Sequence, residues 1–148
     1  HLQEVGKEFG ATTGRPRRTG WIDLVALRYA ARINSMTALV ITKLDVLSGF
    51  DTLKVCTAYE GEDGAVFESF PYHQTVLHHV AARYTELPGW SEDISSARSA
   101  EELPAATRDY LRFIEEFVGV PVVLVGVGPA RDQIVWTGER SPLLAEAA

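Results

Sequence analysis

The sequence is poor in sulfur, with one cysteine and one methionine among its 148 residues. One thiol cannot form an intramolecular disulfide, and it cannot supply a metal site built from several cysteines. Cys56 lies in the largely apolar stretch 53–57. We therefore predict that its thiol is buried and chemically inert.

Long apolar runs are also lacking. No stretch reaches the roughly 18 apolar residues that a membrane-spanning helix needs. The first residues, from His1 onward, contain neither a methionine nor the apolar core of a signal peptide. We expect a segment of a longer cytoplasmic chain that has no membrane partner.

Basic residues are in the minority, with 14 lysines and arginines against 20 aspartates and glutamates, which gives a net charge of -6. This balance argues against nucleic acid or an anionic membrane as a partner. Hydrophobic residues make up 46% of the chain, which is enough to predict a packed core.

Several signatures of catalysis are missing, since the chain has no Walker A, Gly-x-Ser-x-Gly or Gly-x-Gly-x-x-Gly sequence. His73, His78 and His79 lie near one another, but cysteines and well-spaced carboxylates that could complete a metal site are absent around them. We predict no metal ligand in this chain. Trp90 is predicted to pack in a turn, and Glu115 to lie on a helix surface.

The apolar pattern predicts an α/β fold, with a mostly buried sheet flanked by helices and antiparallel hairpin additions. Helices are predicted from residue 21 to about 34, with Thr19 as a candidate N-cap, and from Pro104, as the first helical residue, to Gly119. Strands are predicted at 38–41, 53–59, 66–70, 84–87, 120–125 and 133–137. We expect the first of these to be buried on both faces, the fifth to be central and the sixth to be an edge. A turn at 60–64 joins a hairpin, residues 1–148 form one unit, and the tail 141–148 is predicted to be disordered.

A polar loop follows the first buried strand directly, with the sequence Thr42-Lys43-Leu44-Asp45. Ligands of open α/β sheets bind beyond the carboxyl ends of strands. A carboxylate such as Asp45 is a bidentate acceptor for N1–H and the 2-amino group of guanine, whereas adenine lacks both donors. Lys43 could lie along the base. The alternative is an ordinary polar turn after a strand.

A second loop, Gly126-Val127-Gly128, follows the other strong strand. Glycines allow the backbone to approach a ligand closely, and free amide N–H groups would suit O6 of guanine. A plain Gly-Pro turn is the alternative, because Pro129 comes next.

A cationic loop precedes the first helix in an otherwise acidic chain. It consists of Ala11, Thr12, Thr13, Gly14, Arg15, Pro16, Arg17 and Arg18. Arginine side chains bind carboxylates and phosphates bidentately, and threonine hydroxyls add hydrogen bonds. The loop is therefore suited to a small dianionic or amino-acid substrate. A solvated basic loop is the alternative, and a nucleic-acid patch fits poorly with the acidic balance.

Three segments together resemble the adenylosuccinate synthetase family: 8–18 with Gly20 and Trp21, 42–47, and the landmarks from 84–90 and 119–121 to 128–129. The resemblance implies the C-terminal part of a larger P-loop-like α/β enzyme that acts as a homodimer. Such an enzyme condenses IMP with L-aspartate, using GTP and Mg²⁺, and yields adenylosuccinate, GDP and phosphate.

The resemblance also assigns roles to residues. Ala11, Thr12, Thr13, Gly14, Arg15, Pro16 and Arg17 would form the aspartate loop. Arg15 would also contact the IMP ribose, and Arg17 would reach toward GTP. The guanine would be held by Lys43, Leu44, Asp45, Gly126, Val127 and Gly128. At Gly126 the family often has serine, so a side-chain contact is lost there.

The family's phosphate loop, its catalytic residues, its Mg²⁺ ligands and most of its IMP pocket would lie upstream of His1. We therefore predict that this chain contains no catalytic residue, turns over no substrate alone and binds GTP weakly. Two other hypotheses stay open on the residues: a stand-alone guanine-nucleotide-binding or regulatory module, and a structural interaction domain.

Overall fold

The computed structural model describes residues 1–138, so the predicted disordered tail 141–148 lies outside the described residues. Four α-helices are found in that part: α1 (Leu2–Val5), α2 (Leu24–Ile33), α3 (Gln74–His78) and α4 (Ala105–Val118). The strands are β1 (Ile22–Asp23), β2 (Leu39–Ile41), β3 (Phe50–Gly61), β4 (Val66–Phe67), β5 (Val80–Trp90), β6 (Val122–Gly126) and β7 (Ile134–Trp136). Short 3₁₀ helices occupy Leu44–Leu47 and Ala100–Glu102.

The described strands form two sheets. The smaller has the order β2-β6-β7, with β2 parallel and β7 antiparallel to the central β6. In the larger, β3 pairs with β1 in parallel and with β4 and β5 in antiparallel orientation. The α/β prediction is confirmed, as are the central position of β6, the edge position of β7 and the hairpin turn between β3 and β4.

Helices α2 and α4 pack on each other and join the two sheets through one large apolar cluster. Leu24 of α2, Ile114 of α4 and Val125 of β6 are all essentially inaccessible to solvent. Strand β2 departs from the prediction, since Val40 is 60% exposed and only Leu39 of this strand is fully buried. One face of β2 is therefore open rather than covered.

The ends of the two long helices show how their caps are chosen. Asp23, not Thr19, is the N-cap of α2, and its carboxylate accepts a hydrogen bond from the Ala26 amide at 2.9 Å. Because Ile22 and Asp23 pair with β3, the backbone stays extended until Asp23. At α4, Pro104 is the N-cap rather than the first helical residue, so the helix begins one residue later than predicted, and Gly119 ends it at φ +76°.

Strand β5 is much longer than the predicted 84–87, because it extends from Val80 through Pro88 and Gly89 to Trp90. The Pro-Gly pair reads as a turn in the sequence, yet it stays paired to β3. Gly89 is needed there: a Cβ at this position would lie 1.8 Å from the Phe50 carbonyl oxygen. Trp90 is the last residue of β5 and not part of a turn, but its side chain is packed as predicted, and its indole N–H donates to Ser48 Oγ at 3.0 Å.

Replacing Gly89 with alanine is expected to destabilise the chain by about 2 kcal/mol or more, because backbone atoms of β3 must move to admit the methyl group. Urea denaturation followed by circular dichroism measures this change. Gly20→Ala is the matched control, since a Cβ there meets nothing within 4 Å, and it should change stability by less than about 0.5 kcal/mol. Equal stability of the two variants would contradict the close approach of the strands.

Cys56 lies on β3 with 1% of its surface exposed. Burial, followed by the negative charge of Asp23, raises the pKa of its thiol to about 11. The prediction of a buried thiol is confirmed, and at neutral pH almost none of it is the reactive thiolate.

Among the described residues, no helix has the length and apolar character that crossing a membrane requires.

Candidate functional site

The two loops that follow β2 and β6 lie side by side. The strands are parallel neighbours, with Ile41 opposite Val125, so both loops leave the sheet at the same edge. A Cβ on Gly126 would lie 3.5 Å from the Cα of Thr42. The sequence prediction that both loops follow strands is confirmed, and the topology of the smaller sheet brings them together.

Lys43 directs its side chain toward the N-terminal segment. Its backbone is left-handed, with φ +60°, and it begins the 3₁₀ helix Leu44–Leu47. The ammonium group donates to the Gly6 carbonyl at 2.7 Å and to a carboxylate oxygen of Glu8. Leu44 is 1% exposed and anchors the loop in the core. Lys43 thus stabilises the loop after β2 by joining it to the N-terminal segment.

Asp45 lies in the first turn of the same 3₁₀ helix. Its Oδ1 atom is buried, and it has no hydrogen-bond partner within residues 1–138. A buried carboxylate oxygen without a donor is unfavourable, and such groups are nearly always satisfied in folded proteins. A ligand that presents N–H groups would supply the missing donor.

The second loop has less free backbone than we predicted. Val127 is fully buried, and its amide donates to the Gln133 carbonyl at 2.9 Å, so this N–H is not available to a ligand. A Cβ on Gly128 would lie 2.3 Å from the Gln133 side chain. That side chain bridges the loop, because its amide donates to Ser95 O and its oxygen accepts from the Ala130 amide. Gly128 therefore makes room for Gln133.

The cationic loop, residues 11–18, folds back on itself as a narrow hairpin-like loop, which we call the cationic tongue. Phe9 and Pro16 form an isolated antiparallel bridge. The Gly10 amide donates to the Arg15 carbonyl at 2.8 Å, and Gly14 turns the chain at φ +63°. Every residue from 11 to 20 is exposed to solvent. This geometry presents side chains of the tongue outward while its backbone is fixed at the base.

The arginines of this loop differ in what holds them. Arg17 donates to a Glu8 carboxylate oxygen at 3.1 Å, and its carbonyl accepts from the Gln3 side chain at 2.8 Å. The Arg15 guanidinium, in contrast, makes no hydrogen bond or ion pair with any residue that the structure describes, while its amide donates to Thr13 Oγ1 at 3.3 Å. Among the described residues, Arg17 is therefore the fixed cation of the loop, whereas the guanidinium groups of Arg15 and Arg18 are free.

A cavity of about 400 Å³ lies between the cationic loop and the loop after β2. Its wall combines charged and apolar side chains: Arg17, Arg18, Trp21, Lys43, Leu47 and Tyr110. Hydrogen bonds from Lys43 and Arg17 hold the pKa of Glu8 below its ordinary value, so this carboxylate is ionised at neutral pH. This cavity is thus cationic, with Glu8 as its one anion, and neither Arg15 nor Asp45 lines it.

Sequence reasoning missed Glu8 and Gln133 as members of this site. Glu8 begins the cationic segment, but its partner Lys43 is 35 residues away, so only the fold reveals the contact. The sequence predicts Glu115 on a helix surface, yet this side chain accepts a hydrogen bond from the Val122 amide at 2.7 Å and ties α4 to β6. Within residues 1–138, no three His, Cys, Asp or Glu side chains cluster in a way that could hold a metal ion.

Comparisons with known proteins place the chain among its relatives. Residues 1–135 match the family model described as adenylosuccinate synthetase. The chain is 56% identical over 134 residues to a protein of that name from Acidothermus cellulolyticus, covering 90% of this chain and 31% of the relative. The corresponding protein of Frankia casuarinae is 55% identical over 132 residues, covering 89% of this chain and 31% of that relative.

A solved structure gives the same result in three dimensions. The fully ligated adenylosuccinate synthetase from Plasmodium falciparum superimposes with a TM-score of 0.87 and 36% identity, covering 93% of this chain and 33% of that one. The chain therefore spans about a third of the length of the relatives it matches.

Proposed function

Because the chain belongs to the adenylosuccinate synthetase family, we propose that it is the aspartate- and guanine-binding part of an enzyme that forms adenylosuccinate from IMP and L-aspartate with GTP. The chain spans 31% of the Acidothermus cellulolyticus relative, so the reaction is assigned to the full-length protein. The full-length protein is the chain joined to the remaining two thirds of a family member. The chain alone should be inactive.

The reaction makes one C–N bond at the cost of a phosphoric anhydride. The γ-phosphoryl group of GTP passes to O6 of IMP, which releases GDP. The aspartate amine then attacks C6, its proton is lost, and the C–O bond breaks with phosphate as the leaving group. In this scheme the present chain positions two reactants, aspartate and the nucleoside triphosphate.

The observation that carries the proposal is the buried Oδ1 of Asp45, which has no donor within residues 1–138. Guanine presents N1–H and the 2-amino group side by side, and a carboxylate accepts from both. Adenine would place a lone pair there instead, so the same atom selects against ATP. Gly126 keeps the facing loop free of a side chain, and a Cβ at this position would lie 3.5 Å from the Cα of Thr42.

Aspartate binding is assigned to the tongue formed by residues 11–17. Arg15 has a guanidinium that is free within the described residues, so it can bind a substrate carboxylate with two hydrogen bonds. The hydroxyls of Thr12 and Thr13 add donors nearby. We further assign Arg15 to the IMP ribose and Arg17 to GTP. Lys43 and Leu44, together with Asp45, form the loop that binds guanine, which we call the guanine loop.

Mg²⁺, which this activity implies, does not fit the described residues, because they contain no cluster of suitable ligands. No step is assigned to it in this chain. A homodimeric full-length enzyme and a cytoplasmic location remain predictions.

The test is a reconstruction of the full-length protein. The remaining two thirds of the Acidothermus cellulolyticus relative, joined to this chain, should form adenylosuccinate, as measured by ultraviolet absorbance with IMP, aspartate and GTP. The 148-residue chain alone should form none. Replacing GTP with ATP should lower kcat/KM about 100-fold.

Three outcomes separate the hypotheses. Formation of adenylosuccinate with GTP but not ATP supports the proposal. Selective GTP binding by the isolated chain in calorimetry, without turnover by the joined protein, would favour the stand-alone guanine-nucleotide module. Neither turnover nor a difference between GTP and ATP would leave both without support.

A further inference from the structure

One carboxylate joins the two candidate binding loops. One oxygen of Glu8 accepts from Arg17 of the cationic tongue at 3.1 Å, and the other accepts from the Lys43 ammonium of the guanine loop. The resemblance assigns no role to Glu8, although it assigns both of its partners to GTP. Its position links the part of the site that should hold aspartate to the part that should hold the base.

The contact is more than an ordinary exposed ion pair. Glu8 has 20% of its side chain exposed, compared with 58% for Arg17 and 49% for Lys43. Its main chain takes part too, because the Arg17 amide donates to the Glu8 carbonyl at 2.9 Å. Lys43 is held a second time by the Gly6 carbonyl at 2.7 Å. Networks of this kind contribute more than isolated surface pairs, which are worth little.

Charge explains why a carboxylate is required at this point. Arg17 and Lys43 come from elements far apart in sequence, and both bring a positive charge to the same oxygen pair. Without an anion between them the two cations repel each other, and each loses a charge-assisted hydrogen bond. The tongue would then lose its fixed position relative to the loop after β2.

We propose that Glu8 is a positioning residue that couples the cationic tongue to the guanine loop, so that a guanine nucleotide on Lys43–Asp45 sets the tongue in place for aspartate. The inference rests on the proposed function and goes beyond it by adding a residue that touches neither substrate. Coupling of this kind is reciprocal: if GTP improves the binding of aspartate, aspartate improves the binding of GTP by the same factor.

The experiment uses the full-length protein and a matrix of initial velocities, in which GTP and aspartate are varied together. Glu8→Gln keeps the shape of the side chain and removes its charge. We expect the KM values of both substrates to rise about tenfold, with kcat reduced less than threefold. The dependence of the aspartate KM on GTP concentration should also weaken. Global destabilisation alone would lower the active fraction and hence kcat, and would leave both KM values unchanged.

Two further variants control for charge and for folding. Glu8→Asp keeps the charge but is one methylene shorter, so it cannot reach both cations, and its KM values for both substrates should lie between those of the parent and those of Glu8→Gln. Glu86→Gln is the matched control, because Glu86 forms a single exposed pair with Lys54 at 3.2 Å, in the larger sheet. It should leave all constants unchanged.

The outcomes distinguish this inference from the proposed function. If the parent protein forms adenylosuccinate and Glu8→Gln leaves both KM values within twofold, the coupling role is overturned while the function stands. A rise in only one KM overturns it as well. If Glu8→Gln fails to fold, Glu8→Asp carries the test, and unchanged constants in that variant overturn the proposal. If the parent forms no adenylosuccinate, the proposed function itself fails.

Discussion

Asp45→Asn in the full-length protein is expected to lower kcat/KM for GTP about 100-fold, with little change in the KM for aspartate. The buried Oδ1 of Asp45 has no donor among the described residues, and guanine would supply two. Asparagine has lost the charge and presents an N–H group to one of the donors of guanine. One charge-assisted hydrogen bond is lost and one repulsive contact is gained, which together account for a factor of this size.

A change of base makes the test specific. Xanthine carries a carbonyl oxygen where guanine has its 2-amino group, so XTP should be used better by Asp45→Asn than by the parent. Asp109→Asn is the control, because the one ion pair of Asp109 in the described part of the chain is exposed and joins it to Arg112 on α4. Steady-state kinetics with GTP, ATP and XTP measures all three preferences. An unchanged order of nucleotides in Asp45→Asn would remove Asp45 from the guanine site.

The elements that could be predicted from sequence are those whose own residues determine them. Helix α4 has an apolar stripe with proline before it and Gly119 after it, and the structure places its ends within one residue of the prediction. Strand β6 is rich in β-branched residues and lies in the centre of its sheet. In both cases local preference and long-range packing favour the same conformation, so the pattern is informative.

The errors arise where distant partners decide. Pro88 and Gly89 are typical of a turn, but pairing with Phe50 and its neighbours keeps them in β5. Thr19 has the right chemistry for an N-cap, yet the pairing of β1 with β3 moves the start of the helix to Asp23. Such outcomes depend on contacts across some 30 residues or more, and local sequence carries no record of them.

The candidate site shows the same division. The alternation of apolar and polar segments predicts that each of the two loops follows a strand, and the parallel pairing of β2 and β6 puts both loops at one edge of the sheet. The prediction of free backbone amides at Gly126–Gly128 is wrong for Val127, because its N–H donates a hydrogen bond to the Gln133 carbonyl. Glu8 was missed, because a lone glutamate has no signature until the fold brings Lys43 to it.

Arg15→Leu in the full-length protein is expected to raise the KM for aspartate about 100-fold, because a bidentate arginine–carboxylate contact cannot be replaced by an apolar side chain. Arg15 has no ion-pair partner within residues 1–138 and lies on an exposed tongue. Its removal therefore breaks no internal contact and should leave the thermal unfolding temperature unchanged. A loss of aspartate use without a loss of stability identifies a substrate contact.

Arg112→Leu is the matched control for this change. Arg112 is exposed on α4 and, within residues 1–138, pairs only with Asp109, at 2.8 Å, so its loss should leave the KM for aspartate unaltered. Arg15→Lys separates charge from geometry, because lysine keeps the charge and loses the planar pair of donors, and it should recover only a small part of the loss. Initial velocities at varied aspartate, with GTP and IMP saturating, measure each variant. If Arg15→Leu used aspartate as well as the parent does, the tongue would be a solvated basic loop, and the carboxylates of aspartate would have to be bound elsewhere in the protein.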